Sequence, residues 1–253
     1  MSEDKPTLEL ICAPESIFDT AAIEARLDEA LAGLTDEIEV RKAAVAVLTE
    51  ARRAGRDAIA AAFRARPFEA RMTVRAYSWL TDQIVMQTLA VARRLHPLPT
   101  PTEYERIALI AVGGYGRGEM AGHSDVDLLF LTPYKITPWA ESLIESMLYI
   151  FWDLRLKVGH SSRTVKDCLR LAEDDYTIRT SLVEFRFLTG DIELADTLRK
   201  RLWKDLFKST AADFIEAKLS ERDARHEKQG GQRYVVEPNV KEGKGGLRDL
   251  QSL

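Results

Sequence analysis

Little in this sequence can make a disulfide framework or a structural zinc site. There are two cysteines and four histidines in 253 residues. Cys12 and Cys168 are far apart and no CxxC occurs, so a reducing cytosol is the simplest home. No apolar run is long enough to span a bilayer, and the N-terminal stretch MSEDKPTLEL lacks the apolar centre of a secretory signal. No charge of one sign dominates: 36 Lys+Arg stand against 40 Asp+Glu, for a net charge of -4. That balance argues against a basic nucleic-acid face. Two common phosphate motifs are also missing. There is no GxxxxGK[ST], and Glu119 stands where a GxGxxG pattern would put its third glycine. Internal repeats and low-complexity tracts are absent as well. With 45% hydrophobic and 30% charged residues, the composition predicts a soluble, cytoplasmic protein without nucleic-acid or membrane partners.

Residues 1–18 are mixed in character and read as a loosely ordered lead-in. From about Thr20 to Leu95 the chain is rich in Ala, Leu, Glu and Arg, which favour helix. Gly33 and Gly55 are expected to end or interrupt helices there, and Pro67 to break one. Tyr77, Leu80, Ile84, Val91 and Leu95 recur at helical spacing and predict a core-facing stripe. Three prolines in HPLPTPTE then mark a change of architecture. IALIAV (107–112) and DVDLLFL (125–131) read as strands, Pro138 to Asp153 as a helix with proline in its first turn, and 154–164 as a third strand. Beyond Val165 the pattern reads as helical, with Ile178, Leu182, Phe185 and Leu188 on one side and Gly190 as a stop. Further helices are expected over 193–207 and 212–228. The Gly-rich tail leads into a helix start at Leu247. A sequence that stops inside an element is expected to be a piece of a longer protein. The resulting division is a helical region (1–100), a sheet-bearing core (101–192) and a helical extension and linker (193–253).

The chemistry concentrates in VGGYGRGEMAGHSDVDLLFL, residues 112–131. Residues i and i+2 of a strand point the same way, so Asp125 and Asp127 share a face. Two adjacent carboxylates repel unless a cation takes oxygens from both. Mg²⁺ favours one or two carboxylates together with substrate phosphates. Two such ions about 4 Å apart can activate the attacking oxygen and stabilise the leaving one. Gly113 and Gly114 follow a strand, where missing side chains let a polyphosphate approach backbone amides. A helix beginning near Gly116 would add its N-terminal N–H groups. Arg117 and Ser124 are candidates for a cation and a hydroxyl donor on the same anion. An alternative is a hairpin loop followed by solvated strand-end aspartates. The eleven positions from Gly114 to Asp125, flanked on both sides by apolar strands, favour the metal–nucleotide site.

At this point the residues resemble the polymerase β-like nucleotidyltransferase superfamily: strand, Gly-Gly, spacer, then apolar-Asp-apolar-Asp. GGYGRGEM with SDVDLLFL, then FWDLRLKVGHSSRT, then EPNVKEGKGGLRDLQ narrow it to the bacterial PII uridylyltransferase/uridylyl-removing family. The resemblance implies an α+β nucleotidyltransferase fold, with a small mixed sheet flanked by N-terminal and C-terminal helices. It implies Mg²⁺-dependent transfer of UMP from UTP to a tyrosine of the PII signalling protein, in the control of nitrogen metabolism. Asp125 and Asp127 would be catalytic and hold the metal. The uridylyl-removing and glutamine-sensing domains of such proteins would lie outside these residues. The superfamily also supplies a third carboxylate on a later strand. Around Val158 there are only Lys157, Gly159 and His160, which leaves Asp153, Glu184 and Asp191 as candidates, Asp153 slightly ahead. A non-catalytic nucleotide-binding or interaction module, or a transferase acting on a small molecule, are the rival readings. His160 and Arg163 can line the site or be a packed histidine and a surface ion pair. His123 can line the site mouth or lie on an exposed loop. Lys241, Lys244 and Arg248 can close over a triphosphate or belong to a flexible link.

Overall fold

In the computed structural model, residues 9–100, 102–208, 210–228, 230, 237 and 239–251 are described. Residues 1–8 of the expected lead-in, Pro101 of the proline segment and much of 229–238 in the tail lie outside them. The chain divides into two compact units, Met1–Cys168 with Thr180–Leu198, and Leu169–Arg179 with Arg199–Leu253.

The first unit opens with a one-turn helix α1 (Pro14–Ile17), then α2 (Thr20–Ala30), α3 (Glu37–Ala65) and α4 (Ala70–Leu95). Their starts are written locally. Asp19 accepts the Ala22 N–H at 3.0 Å and Asp36 accepts that of Glu39 at 2.9 Å, each satisfying a donor that the first turn would leave bare. Two expectations need correction. Residues 10–18 are not loose, since Ile11, Ile17 and Phe18 are buried against α3 and α4 in one core. Gly55 does not interrupt a helix but lies inside α3, where an added Cβ would collide with the Ile17 carbonyl. Its missing side chain is a packing device and costs α3 only about 1 kcal/mol. Leu80, Ile84 and Val91 of the α4 stripe are buried as expected, with Tyr77 and Leu95 packed beside them.

The sheet follows. β1 (Ala108–Ala111), a one-turn helix α5 (Gly113–Gly116), β2 (Val126–Thr132), α6 (Pro138–Asp153) and β3 (Val158–Thr164) occur in that order. α6 starts where Thr137 accepts the Ala140 N–H at 3.2 Å, with Pro138 in its first turn. After α7 (Val165–Asp174) and α8 (Tyr176–Val183) comes a fourth strand, β4 (Arg186–Gly190). The helical reading of Phe185 to Leu188 is therefore wrong: RFLTG pairs antiparallel with β1. A run of five residues has too few turns of either period to decide, and the partner strand decides instead. The strand order is β3-β2-β1-β4, with β2 and β3 parallel and the other pairs antiparallel. The fold is thus α+β with a small mixed sheet.

Val126, Leu128 and Phe130 of β2, with Leu109 and Ala111 of β1, share one core with Val85 and Leu89 of α4 and Met147 and Phe151 of α6. Leu129 and Leu131 on the opposite face are buried too. At about 1.5–3 kcal/mol per buried side chain, these five apolar residues outweigh the cost of one carboxylate at the strand's beginning. Helix α9 (Ile192–Arg201) follows, capped by Asp191, which accepts the Leu194 N–H at 2.9 Å, and the first unit ends within it at Leu198.

The second unit contains a π-helical turn (Leu202–Phe207), α10 (Ala211–Lys228) and α11 (Leu247–Leu250). It is organised around Arg179, which is 2% exposed. Arg179 donates to the Leu206 carbonyl at 3.3 Å and to the Thr210 hydroxyl, and lies over the rings of Phe214, Phe207 and Tyr176. A buried cation is tolerable here because aromatic faces and carbonyl oxygens replace its water. Both cysteines are free thiols, and burial pushes that of Cys168 up to about 12.

Candidate active site

The N-terminal ends of β2 and β3 and the C-terminal end of β1 lie at one end of the sheet. There Asp127 sits opposite Gly159 of β3 in the parallel ladder. A Cβ added at Gly159 would collide with Oδ1 of Asp127, and one added at Gly113 would lie 3.6 Å from Oδ2. Each carboxylate oxygen is thus bordered by a missing side chain. Asp125 stands one residue before the strand begins, rather than within it, and is exposed. Asp125 and Asp127 are thus two positions apart at this end of the sheet, and carboxylate oxygens are the donors that a small hard cation takes.

Gly113 has φ +60°, a conformation that side-chain-bearing residues rarely adopt. It turns the chain directly from β1 into α5. The helix therefore begins at Gly113 and not near Gly116, whose N–H already bonds the Val112 carbonyl at 3.0 Å. The donors that a first turn leaves bare are those of Gly113, Gly114 and Tyr115. The Val112 N–H bonds the Asp127 carbonyl at 3.1 Å and ties the start of this loop to β2. Gly116 gives space of another kind, because a Cβ there would collide with the Glu184 carbonyl.

Arg117 and Ser124 are occupied differently from the expectation. Arg117 pairs with Glu119 at 2.9 Å and with Glu184 at 2.6 Å. Burial works against its charge, but the hydrogen bonds and charges of the two glutamates outweigh it and raise the Arg117 pKa. Ser124 Oγ accepts the Ala121 N–H at 2.9 Å and closes the turn before Asp125. Asp153 ends α6 and pairs with Arg41 at 3.2 Å. Among the described residues no three His, Cys, Asp or Glu side chains form a metal-sized group, so neither Asp153, Glu184 nor Asp191 joins Asp125 and Asp127 in one. Asp191 pairs with Arg106 at 3.2 Å. His160 lies on the face of Phe130, its ring centroid 6.5 Å from that ring, and so opposite the Asp127 face. Arg163 shares the Asp127 face, about 13 Å further along the strand. His123 is on an exposed turn.

The residues that hold the glycine loop were not visible in the sequence. Arg186 of β4 makes two bonds to Asp82 of α4, at 2.7 and 3.0 Å, and a third to the Tyr115 carbonyl at 3.2 Å. The Tyr115 side chain is fully buried beside this pair, and burial, then the charge of Asp82, pushes its phenol well above the ordinary value. Ser78 Oγ, one turn before Asp82, accepts the Met120 N–H at 3.3 Å. Asp82 and Ser78 lie among ordinary helical residues and carry no local signal. Gly159 did carry one, since a glycine inside a strand marks a close approach.

Comparison with known proteins fits this geometry. The family model described as glutamate-ammonia ligase adenylyltransferase matches residues 3–149, and that described as GlnD PII-uridylyltransferase matches residues 213–253. A bifunctional uridylyltransferase/uridylyl-removing enzyme of Ruegeria pomeroyi is 65% identical across 94% of this chain. The chain belongs to the PII uridylyltransferase/uridylyl-removing enzyme family. Enzymes of the same description from Cereibacter sphaeroides and Caulobacter vibrioides are 64% and 49% identical, over 92% and 94% of the chain. The chain spans about a quarter of the length of these relatives, 26%, 25% and 26% respectively. Residues 3–149, which match the adenylyltransferase model, contain both aspartates and the glycine loop. No helix among the described residues is long and apolar enough to cross a membrane.

Proposed function

We propose that this chain transfers UMP from UTP to a tyrosine hydroxyl of the PII signalling protein and releases pyrophosphate. The observation that carries this reading is the Asp127 carboxylate at the sheet end, bordered by Gly113 and Gly159, with Asp125 two positions away. The description of the relatives supports the uridylyl group, and the GlnD PII-uridylyltransferase match over 213–253 supports PII as acceptor.

In this reading Asp125 and Asp127 would hold Mg²⁺, and the missing side chain of Gly159 lets Oδ1 of Asp127 lie against β3. When bound, the metal neutralises charge on the phosphates and favours an attacking oxygen at neutral pH. Gly113 and Gly114 let the triphosphate reach the backbone, where the first N–H groups of α5 donate to it. The tyrosine oxygen attacks the α-phosphorus, the bond to the bridging oxygen of the β-phosphate breaks in line, and the hydroxyl proton leaves to solvent. Arg186 and Asp82 keep the Tyr115 carbonyl, and with it the loop, in place through the reaction. Because Arg117 is bound to two glutamates, its part is to hold Glu184 against the loop rather than to bind phosphate.

The test is mass spectrometry of PII after incubation with the protein, Mg²⁺ and each of the four nucleoside triphosphates. The expected product is PII heavier by one UMP with UTP alone, together with pyrophosphate. Nucleotide binding without pyrophosphate release would favour the rival reading of a non-catalytic module, and pyrophosphate release with a small-molecule acceptor but not PII would favour the other.

A further inference from the structure

Arg52 and Arg56 lie one turn apart on α3, so their guanidinium groups project from one face. Both are half-buried. Arg56 donates to the Gly122 carbonyl at 2.5 Å, and Arg52 makes a long contact to the Leu154 carbonyl at 3.4 Å. Neither has a carboxylate partner among the described residues, in contrast to Arg117 and Arg186. Burial, and then the charge of Arg56, lowers the pKa of Arg52, so the two cations are held together at a cost. A guanidinium has five donors, and each of these spends one on a neutral oxygen. Between them and the side chains of Tyr77, Leu80, Ile84 and Leu156 is a cavity of about 30 Å³. That is space for roughly two waters, about the size of one carboxylate group.

We infer that Arg52 and Arg56 form a binding site for the carboxylate of a small aliphatic acid, entering the cavity between α3, α4 and the Ala121–Gly122 turn. A planar carboxylate matches the fork of a guanidinium and bridges two of them. A tetrahedral phosphate needs more room and more donors than Thr81 and Tyr77 add. Gly122 is three positions before Asp125, so a bound acid would be felt at the turn that leads into the aspartates. This site stands independently of the transferase reading, since neither its ligand nor its test involves UTP or PII.

The experiment is titration of the protein with glutarate, acetate and inorganic phosphate at constant ionic strength, by thermal shift and by NMR of arginine Nε–H and backbone amide signals. Glutarate and acetate are expected to raise Tm in a saturable way and to move the Arg52, Arg56 and Gly122 signals, with Kd on the order of millimolar. In Arg52→Gln/Arg56→Gln the melting temperature without ligand should be equal or higher, because a repulsion is gone, and the acid-dependent rise should be lost. Arg52→Lys, which keeps the charge but not the fork, should bind several-fold more weakly. An equal rise in the double variant would overturn the site, as would unmoved arginine signals in the unaltered protein at saturating acid. Tighter binding of phosphate than of either acid would overturn the carboxylate assignment. If the double variant fails to fold, the arginine signals of the unaltered protein decide alone.

Discussion

The protein contains two glycine-and-aspartate motifs, one in each compact unit, and they use the same residues to opposite ends. At the sheet end the glycines permit a close approach: Oδ1 of Asp127 lies where a Cβ of Gly159 would be, and a Cβ on Gly113 would stand 3.6 Å from Oδ2. In GKGGLRDL the glycines bring donors in. Gly245 has φ +81° and gives its N–H to Asp249 at 2.7 Å, while Arg225 and His226 at the end of α10 reach the same carboxylate at 2.6 and 2.8 Å. An aspartate beside glycines is therefore not a ligand site by composition. What the glycines do around the oxygens separates the two: at Asp127 they permit a close approach, and at Asp249 one of them donates its N–H.

The largest expected effect breaks the first motif. Asp127→Asn keeps shape and hydrogen-bonding capacity but removes one charge. The carboxylate is at a partly exposed strand beginning, so stability should change by no more than about 0.5 kcal/mol. Loss of metal stabilisation worth about 4 kcal/mol would slow UMP transfer on the order of a thousandfold. Melting temperature and transfer, measured on one preparation, check both halves; undiminished transfer would remove Asp127 from the site. The corresponding change Asp249→Asn should leave chemistry at the sheet end untouched.

Next in size is Gly159→Ala. Its Cβ must displace Oδ1 of Asp127 or push β3 outward. A shift of about 1 Å at a reacting group can cost on the order of a hundredfold, so transfer should fall that far while the edge strand, where Gly is a poor residue, keeps its stability. Gly245→Ala is the matched control. No atom lies within 4 Å of its added Cβ, so only the strained backbone opposes it and activity should survive. If Gly159→Ala retained full transfer, the close approach of Asp127 to Gly159 would have no function.

Much of this was legible in the sequence because it is local. The strand–glycine–aspartate order and the bounds of α6 depend on residues within a few positions of one another. What was missed is held by contacts across the chain. Arg186 and Asp82 are 104 positions apart, and β4 looks helical until β1 pairs with it. Arg117 reads as a candidate phosphate ligand, and its pairing with Glu184, 67 positions later, is not visible in the sequence. The Gly-rich tail read as a flexible link, yet Leu247 and Arg248 return N–H bonds to Val240 and Lys241 and fold it into a turn. Sequence spacing pointed to the candidate carboxylates but not to the supports of the glycine loop, since a support needs only the right charge at the right place in space.

The smallest expected effect sharpens the second motif, and it is one of pH. Burial alone would raise the Asp249 pKa, but the Gly245 N–H, Arg225 and His226 outweigh it and lower the carboxyl to about 2. A carboxylate whose folded pKa lies below its unfolded value, roughly 4, stabilises the fold at every pH above that unfolded value. The contribution falls away as pH drops and is gone once the pH has passed through the folded value near 2. The turn 239–250 should therefore stay closed through the pH range in which ordinary surface carboxylates protonate, and open only below it. The Gly245 amide resonance, whose N–H points at Asp249, reports this directly. Its shift should titrate with an apparent pKa of about 2 in the unaltered protein, and the titration should disappear in Asp249→Asn. Titration near 4 would mean that Arg225 and His226 do not engage the carboxylate in solution, and the contrast between Asp249 and Asp127 would lose its second half.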